Sequence, residues 1–95
     1  MKNQKIAQIL FEIGDLLDLQ EVPFKPEAYK KAAIAIDLLE DDISSIYEKE
    51  GLKGLLKIKG VGKSIALLIE EYLKTGKIIS YEQLKKESPI NLEEL

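Results

Sequence analysis

Leu55-Leu56-Lys57-Ile58-Lys59-Gly60-Val61-Gly62-Lys63-Ser64-Ile65-Ala66 is the most informative stretch of the chain. One helix ends in it, two glycines flank a β-branched apolar residue, and a second helix starts at once. Gly60 and Gly62 both suit positive φ and lack the Cβ atoms that would hold a ligand away from the backbone. Val61 is then free to turn inward and pin the bend to the core. The first N–H groups of a helix starting at Lys63 have no partner within that helix, and with the helix dipole they form an anion site. Lys59 and Lys63 add positive charge at its rim. A nucleic-acid phosphate is the natural ligand, and such contacts position a protein without reading sequence.

An isolated Gly-X-Gly between helices is as a rule a plain tight turn; here the apolar and lysine flanks favour the anion site. Gly60-Val61-Gly62-Lys63-Ser64 also imitates the end of a nucleotide-binding loop. That loop needs a preceding strand and a glycine where this chain has Lys57, so ATP or GTP binding is not expected.

Outward from this bend the chain reads as helix throughout. Residues 3–19 place Ile6, Ile9, Leu10, Ile13, Leu16 and Leu17 at helical spacing, with Glu12, Asp15 and Asp18 opposite. Pro23 ends that helix and Pro26 suits the first position of the next, which should run to about Leu39 over Tyr29, Ala32, Ala33 and Ile36. Asp41 or Asp42 caps a third helix carrying Ile43, Ile46 and Tyr47, and a short helical turn follows at Leu52–Lys57. The helix after the bend spans Lys63–Lys74, with Ile65, Leu68, Ile69 and Leu73 as its buried stripe and Gly76 as its left-handed cap. Ser80-Tyr81-Glu82-Gln83 reads as a capping box for a last helix to about Glu87, ended by Pro89. The expectation is a single all-α domain over residues 1–95, a compact bundle of four to five short helices. Ile90, Leu92 and Leu95 in the tail, about 88–95, have nothing evident to pack on and read as a truncated link to a following domain.

Composition narrows the chemistry. There is no Cys and no His, which removes thiolates, the commonest zinc ligand and the commonest general base. No apolar run approaches the roughly 20 residues that span a bilayer, and the N-terminus has no signal-peptide core, so no membrane partner and a cytoplasmic, nucleoid-associated location are expected. The net charge of −3 argues by itself against nucleic acid, but its distribution does not. Residues 1–50 carry −5, residues 51–77 carry +4 and residues 78–95 carry −2. A phosphate at the glycines feels that local positive field within a Debye length of about 8–10 Å. Every basic residue is Lys, a good point charge on phosphate without the bidentate fork that reads guanine.

Nearly the whole chain resembles the N-terminal domain of family X DNA polymerases, most closely the bacterial and archaeal branch. Ile6–Leu17 corresponds to the opening helix of that domain. Pro23-Phe24-Lys25-Pro26-Glu27-Ala28-Tyr29-Lys30-Lys31-Ala32-Ala33 resembles the family's Pro-Phe-x-x-x-Ala-Tyr-x-x-Ala-Ala segment. Gly60–Ala66 followed by Ile69–Gly76 resembles its helix-hairpin-helix motif and the helix beyond. The resemblance implies a repair module that grips gapped or nicked DNA. Lys57, Lys59, Gly60, Val61, Gly62, Lys63 and Ser64 would lie on the DNA backbone, and Lys25 and Tyr29 would form a 5′-phosphate pocket. It also implies no cofactor other than a monovalent cation, Na or K, at the carbonyls of Leu56, Ile58 and Val61. From the residues alone Tyr29 reads equally as core, and Lys25 equally as a solvated surface lysine.

The chain departs from family members that remove a 5′-deoxyribose phosphate. Their Schiff-base lysine corresponds to Leu68, which cannot form an imine, and a neighbouring phosphate-binding lysine corresponds to Ser64. Lyase chemistry would have to fall to Lys63 or Lys59. A polymerase also needs a palm carrying a metal-binding carboxylate cluster. The resemblance therefore implies a palm domain as partner in a longer chain, with a second hairpin beyond Leu95. A third class, a protein-interaction module built on the acidic first half and the apolar tail, fits the lysine cluster less well.

Overall fold

The computed structural model describes residues 2–19 and 25–87, the side chains of Lys25 and Glu87 excepted. The readings of Pro23 as a helix stop, of Phe24 and of the apolar tail lie outside the described residues. The helices are α1 (Lys2–Leu19), α2 (Lys25–Asp37), α3 (Ile43–Glu50), α4 (Leu52–Leu56), α5 (Lys63–Thr75) and α6 (Ile79–Glu87). No strand occurs among the described residues. The count among the described residues is six because the five-residue turn at Leu52–Leu56 forms a helix of its own.

α1 and α2 make the most extensive helix pair. Gly14 permits their approach: a Cβ there would sit 3.1 Å from both Lys30 Cγ and the Pro26 carbonyl oxygen. Between them Ile6, Leu10 and Ile13 of α1 meet Ala32, Ala33 and Ile36 of α2, all essentially solvent-free. Ile65, Ala66 and Ile69 of α5 complete this core with Leu55 and Ile78. Each fully buried Ile or Leu contributes roughly 1.5–3 kcal/mol. Of the stripe expected on α5, Leu68 and Leu73 are only partly buried against the core.

α2 stops at Asp37 and not at Leu39, because Leu39 N–H bonds to the Ile36 carbonyl at 3.2 Å and tightens the last turn. Leu39 still packs on the core from that turn. Asp42 caps α3: its Oδ1 accepts from Ser44 N–H at 2.9 Å and from the Ser44 hydroxyl at 2.7 Å. Asn3, 2 % exposed, ties the same turn to α1. Its Nδ2 donates to the Asp41 carbonyl at 2.8 Å and its Oδ1 accepts from Ile43 N–H at 2.8 Å. Gly54 brings α4 onto α3, since a Cβ there would lie 2.9 Å from Ile46 Cγ2 and Glu50 Cβ. Gly76 takes φ 83 as the left-handed cap of α5.

The capping box expected at Ser80 does not form. α6 begins two residues earlier, at Ile79, because Ile78 is buried at its start and the Glu71 carboxylate accepts the Ile79 N–H at 3.0 Å. Ser80 is thus inside the helix.

Candidate nucleic-acid interface

The bend between α4 and α5 docks on α2. Gly60 has φ +94, and a Cβ there would lie 3.6 Å from Ala35 Cβ and from the Lys31 carbonyl oxygen. Val61 N–H bonds to the Ile58 carbonyl at 3.0 Å, closing the hairpin, while the Val61 side chain enters the core at 6 % exposure. Only one glycine is needed for backbone freedom. Gly62 has φ −87 and ψ 178, an extended conformation open to any residue, so its expected positive φ is not realised. What Gly62 supplies is clearance: nothing lies within 4 Å of a Cβ placed there.

Gly62 is the N-cap of α5 and offers no side-chain cap. The first helical bond runs from Ala66 N–H to the Gly62 carbonyl at 2.8 Å. The N–H groups of Gly62, Lys63, Ser64 and Ile65 therefore find no backbone acceptor among the described residues. Gly62, Lys63 and Ser64 are exposed. Exposed orphan amides at the positive end of a 13-residue helix can take an anion.

The lysines around this bend are not equivalent. Lys59 and Lys63 are exposed and have no carboxylate within 4.0 Å among the described residues. Lys57 is already engaged, its Nζ 2.7 Å from Glu50 Oε1. Sequence reasoning missed Glu50 because residues seven apart on one helix lie two turns from each other; α4 folding back on α3 through Gly54 brings them together. The carbonyls of Leu56 and Val61 accept no backbone hydrogen bond among the described residues, and that of Ile58 keeps its second lone pair. As uncharged oxygen donors they suit a weakly held hard cation.

Tyr29, Ser64 and Leu68 do come together. They line a cleft of about 390 Å³ with Ile13, Leu17, Ser80, Gln83 and Leu84. Burial raises the Tyr29 phenol above its ordinary pKa of 10.0. No lysine is present among the described lining residues, and neither Lys59 nor Lys63 reaches the cleft wall. The contributions of Ser80 and Gln83 were hidden by the capping-box reading of α6. The cleft meets the bend at Ser64, whose side chain lines the one and whose amide belongs to the other.

No group of three His, Cys, Asp or Glu that could hold a metal occurs among the described residues. No described helix is long and apolar enough to cross a membrane.

A buried apolar residue between two glycines, leading into a helix with open amides, defines a helix-hairpin-helix protein. The chain belongs to the helix-hairpin-helix domain family, which matches residues 1–78. It is also similar to the DNA polymerase/3′-5′ exonuclease PolX of Bacillus subtilis (strain 168), at 34 % identity over 93 residues. That match takes in 97 % of this chain and 15 % of the relative. The expected likeness to family X polymerases is thus met by a family X relative.

Proposed function

We propose that the chain is a sequence-nonspecific DNA-binding module of a family X repair polymerase, gripping the backbone at gaps or nicks. The observation that carries this is the row of amides from Gly62 to Ile65 beside Lys59 and Lys63, all without a partner among the described residues. Lys57 and Ser64 extend the contact. Leu56, Ile58 and Val61 would turn their carbonyls to a Na or K ion shared with phosphate. A cation there adds a positive charge that side chains need not supply. The module would work with a palm domain in a longer chain, in base excision repair at the nucleoid.

The cleft that opens at Ser64 is the place for a 5′ end. Lys25 and Tyr29, both on α2, would hold its phosphate, with the Tyr29 hydroxyl as a neutral donor kept protonated by burial. A 5′-deoxyribose-phosphate lyase has less support, because a Schiff base needs an amine at the sugar and the described cleft wall has none.

Titration of gapped duplexes with and without a 5′-phosphate, across a salt series, tests the reading. The expectation is salt-sensitive, sequence-tolerant binding that favours the phosphorylated gap. Equal and salt-insensitive affinities would remove it. Borohydride trapping on abasic DNA tests the lyase alternative, and no adduct is expected.

A further inference from the structure

A second cleft, of about 200 Å³, lies where α1, α6 and the connection from α5 meet. Three lysines reach it from three elements: Lys5 from α1, Lys77 from the connection and Lys85 from α6. Like charges gathered in one place repel, and only Lys85 has a partner in the cleft among the described residues. The ties that seat α6 are the burial of Ile78, the Glu71 carboxylate on Ile79 N–H and the Tyr81 hydroxyl on Glu12. The two acids in the cleft keep their charge, so its three lysines exceed them by one and the free cations are Lys5 and Lys77. Glu12 accepts the Tyr81 hydroxyl, and Glu82 lies 3.8 Å from Lys85 Nζ. Lys85 is steadied over the Tyr81 ring, 5.0 Å from its centroid. Lys5 and Lys77 have no carboxylate within 4.0 Å among the described residues.

We propose that this cleft is a second phosphate-binding subsite, filled by a DNA backbone phosphate remote from the hairpin. The identity of the ligand rests on the DNA reading above; the subsite itself rests on the lysines. Gly76 lines the cleft and Gly62 opens the hairpin, at the two ends of α5. A rise of 1.5 Å per residue sets them about 21 Å apart. That is roughly six base-pair rises of duplex DNA at 3.4 Å each. A duplex shorter than this reaches one site, and a longer duplex lying along α5 reaches both.

The test compares the unsubstituted chain with the triple variant Lys5→Ala, Lys77→Ala, Lys85→Ala, on duplex stems of six and sixteen base pairs across a salt series. All three side chains are exposed, so the fold is retained, as circular dichroism will verify. The triple variant should bind the long stem roughly tenfold more weakly at low salt, with a shallower salt slope by about one per lysine lost. Its affinity for the short stem should not change. Unchanged affinity and slope on the long stem would overturn the proposal. Inorganic phosphate, followed by amide NMR shifts, gives an independent arm. Shifts at Lys77 and Ile78 that vanish in the triple variant support the subsite even if neither stem binds, in which case the hairpin reading fails and a small phosphorylated ligand becomes the occupant. No shift and no effect on the stems sinks the subsite itself.

Discussion

Lys57 and Glu50 are paired at 2.7 Å across the α3–α4 corner, so one of the lysines beside the hairpin already has a carboxylate partner. Both side chains are largely exposed, and such a pair adds about 0–1 kcal/mol at most to stability. Its effect falls on binding. A carboxylate about 5 Å from an arriving phosphate opposes it by roughly 0.8 kcal/mol in water. Glu50→Gln should therefore tighten DNA binding about fourfold at low salt, the gain fading as salt rises. Anisotropy titrations at low and high salt check this, and a weaker complex would show that the pair positions Lys57 instead of masking it.

The two glycines of the hairpin should separate folding from binding. Gly60→Ala forces a Cβ onto φ +94 and should cost about 1 kcal/mol of stability, read as a lower melting temperature. At Gly62 a Cβ has no atom within 4 Å and the backbone conformation is an ordinary one, so Gly62→Val should cost only what a poorer N-cap costs, about 1 kcal/mol. Its side chain would project where a phosphate must approach the amides, and DNA affinity should fall to background. Full binding by Gly62→Val would mean that the amides are not the contact.

The helices were legible in the sequence because apolar spacing and end signals agreed. Asp42 and Gly76 each mark a boundary by a local mechanism, Pro26 falls one residue inside α2, which starts at Lys25, and Val61 could be placed in the core because it alone is apolar between the glycines. Two kinds of feature were not legible. Ser80 had the local pattern of a cap, but burial of Ile78 and the Glu71 carboxylate, eight residues away in sequence, set the start of α6. Asn3 gave no signal at all: a polar residue near the N-terminus reads as solvated until α3 brings Asp41 and Ile43 to it. In the site, residue types were readable and their partners were not. Lys57 looked as free as Lys59, and only the fold shows that Glu50 holds it.

An amine placed in the α5 cleft should create Schiff-base chemistry there. Leu68 is half-buried there beside Tyr29 and Ser64. Leu68→Lys would present a partly desolvated amine, whose pKa desolvation lowers. It could attack the open-chain C1′ aldehyde of an abasic sugar and lose water to give an imine. Borohydride reduction should then yield a stable protein–DNA adduct with Leu68→Lys and none with the natural chain or with Leu68→Met, which conserves volume. Absence of an adduct, with DNA affinity intact, would show that bound DNA does not bring its sugar into this cleft.

The cap of α3 should make stability pH-dependent in a stated direction. The Ser44 hydroxyl, then the Ser44 N–H, hold the Asp42 carboxyl below its ordinary value of 3.8. A group depressed on folding contributes stability that is complete above its unfolded pKa and lost as pH falls through the folded one. Melting temperatures followed from pH 6 downward should therefore show a decline below about pH 4 that includes an Asp42 component. Asp42→Asn keeps a good capping oxygen but cannot titrate, so its decline should be shallower while its melting temperature at pH 6 stays close to the natural chain's. Parallel profiles would show that the Ser44 bonds do not depend on the charge. The cap would then act through geometry alone, and acid sensitivity of the domain would have to come from other carboxylates.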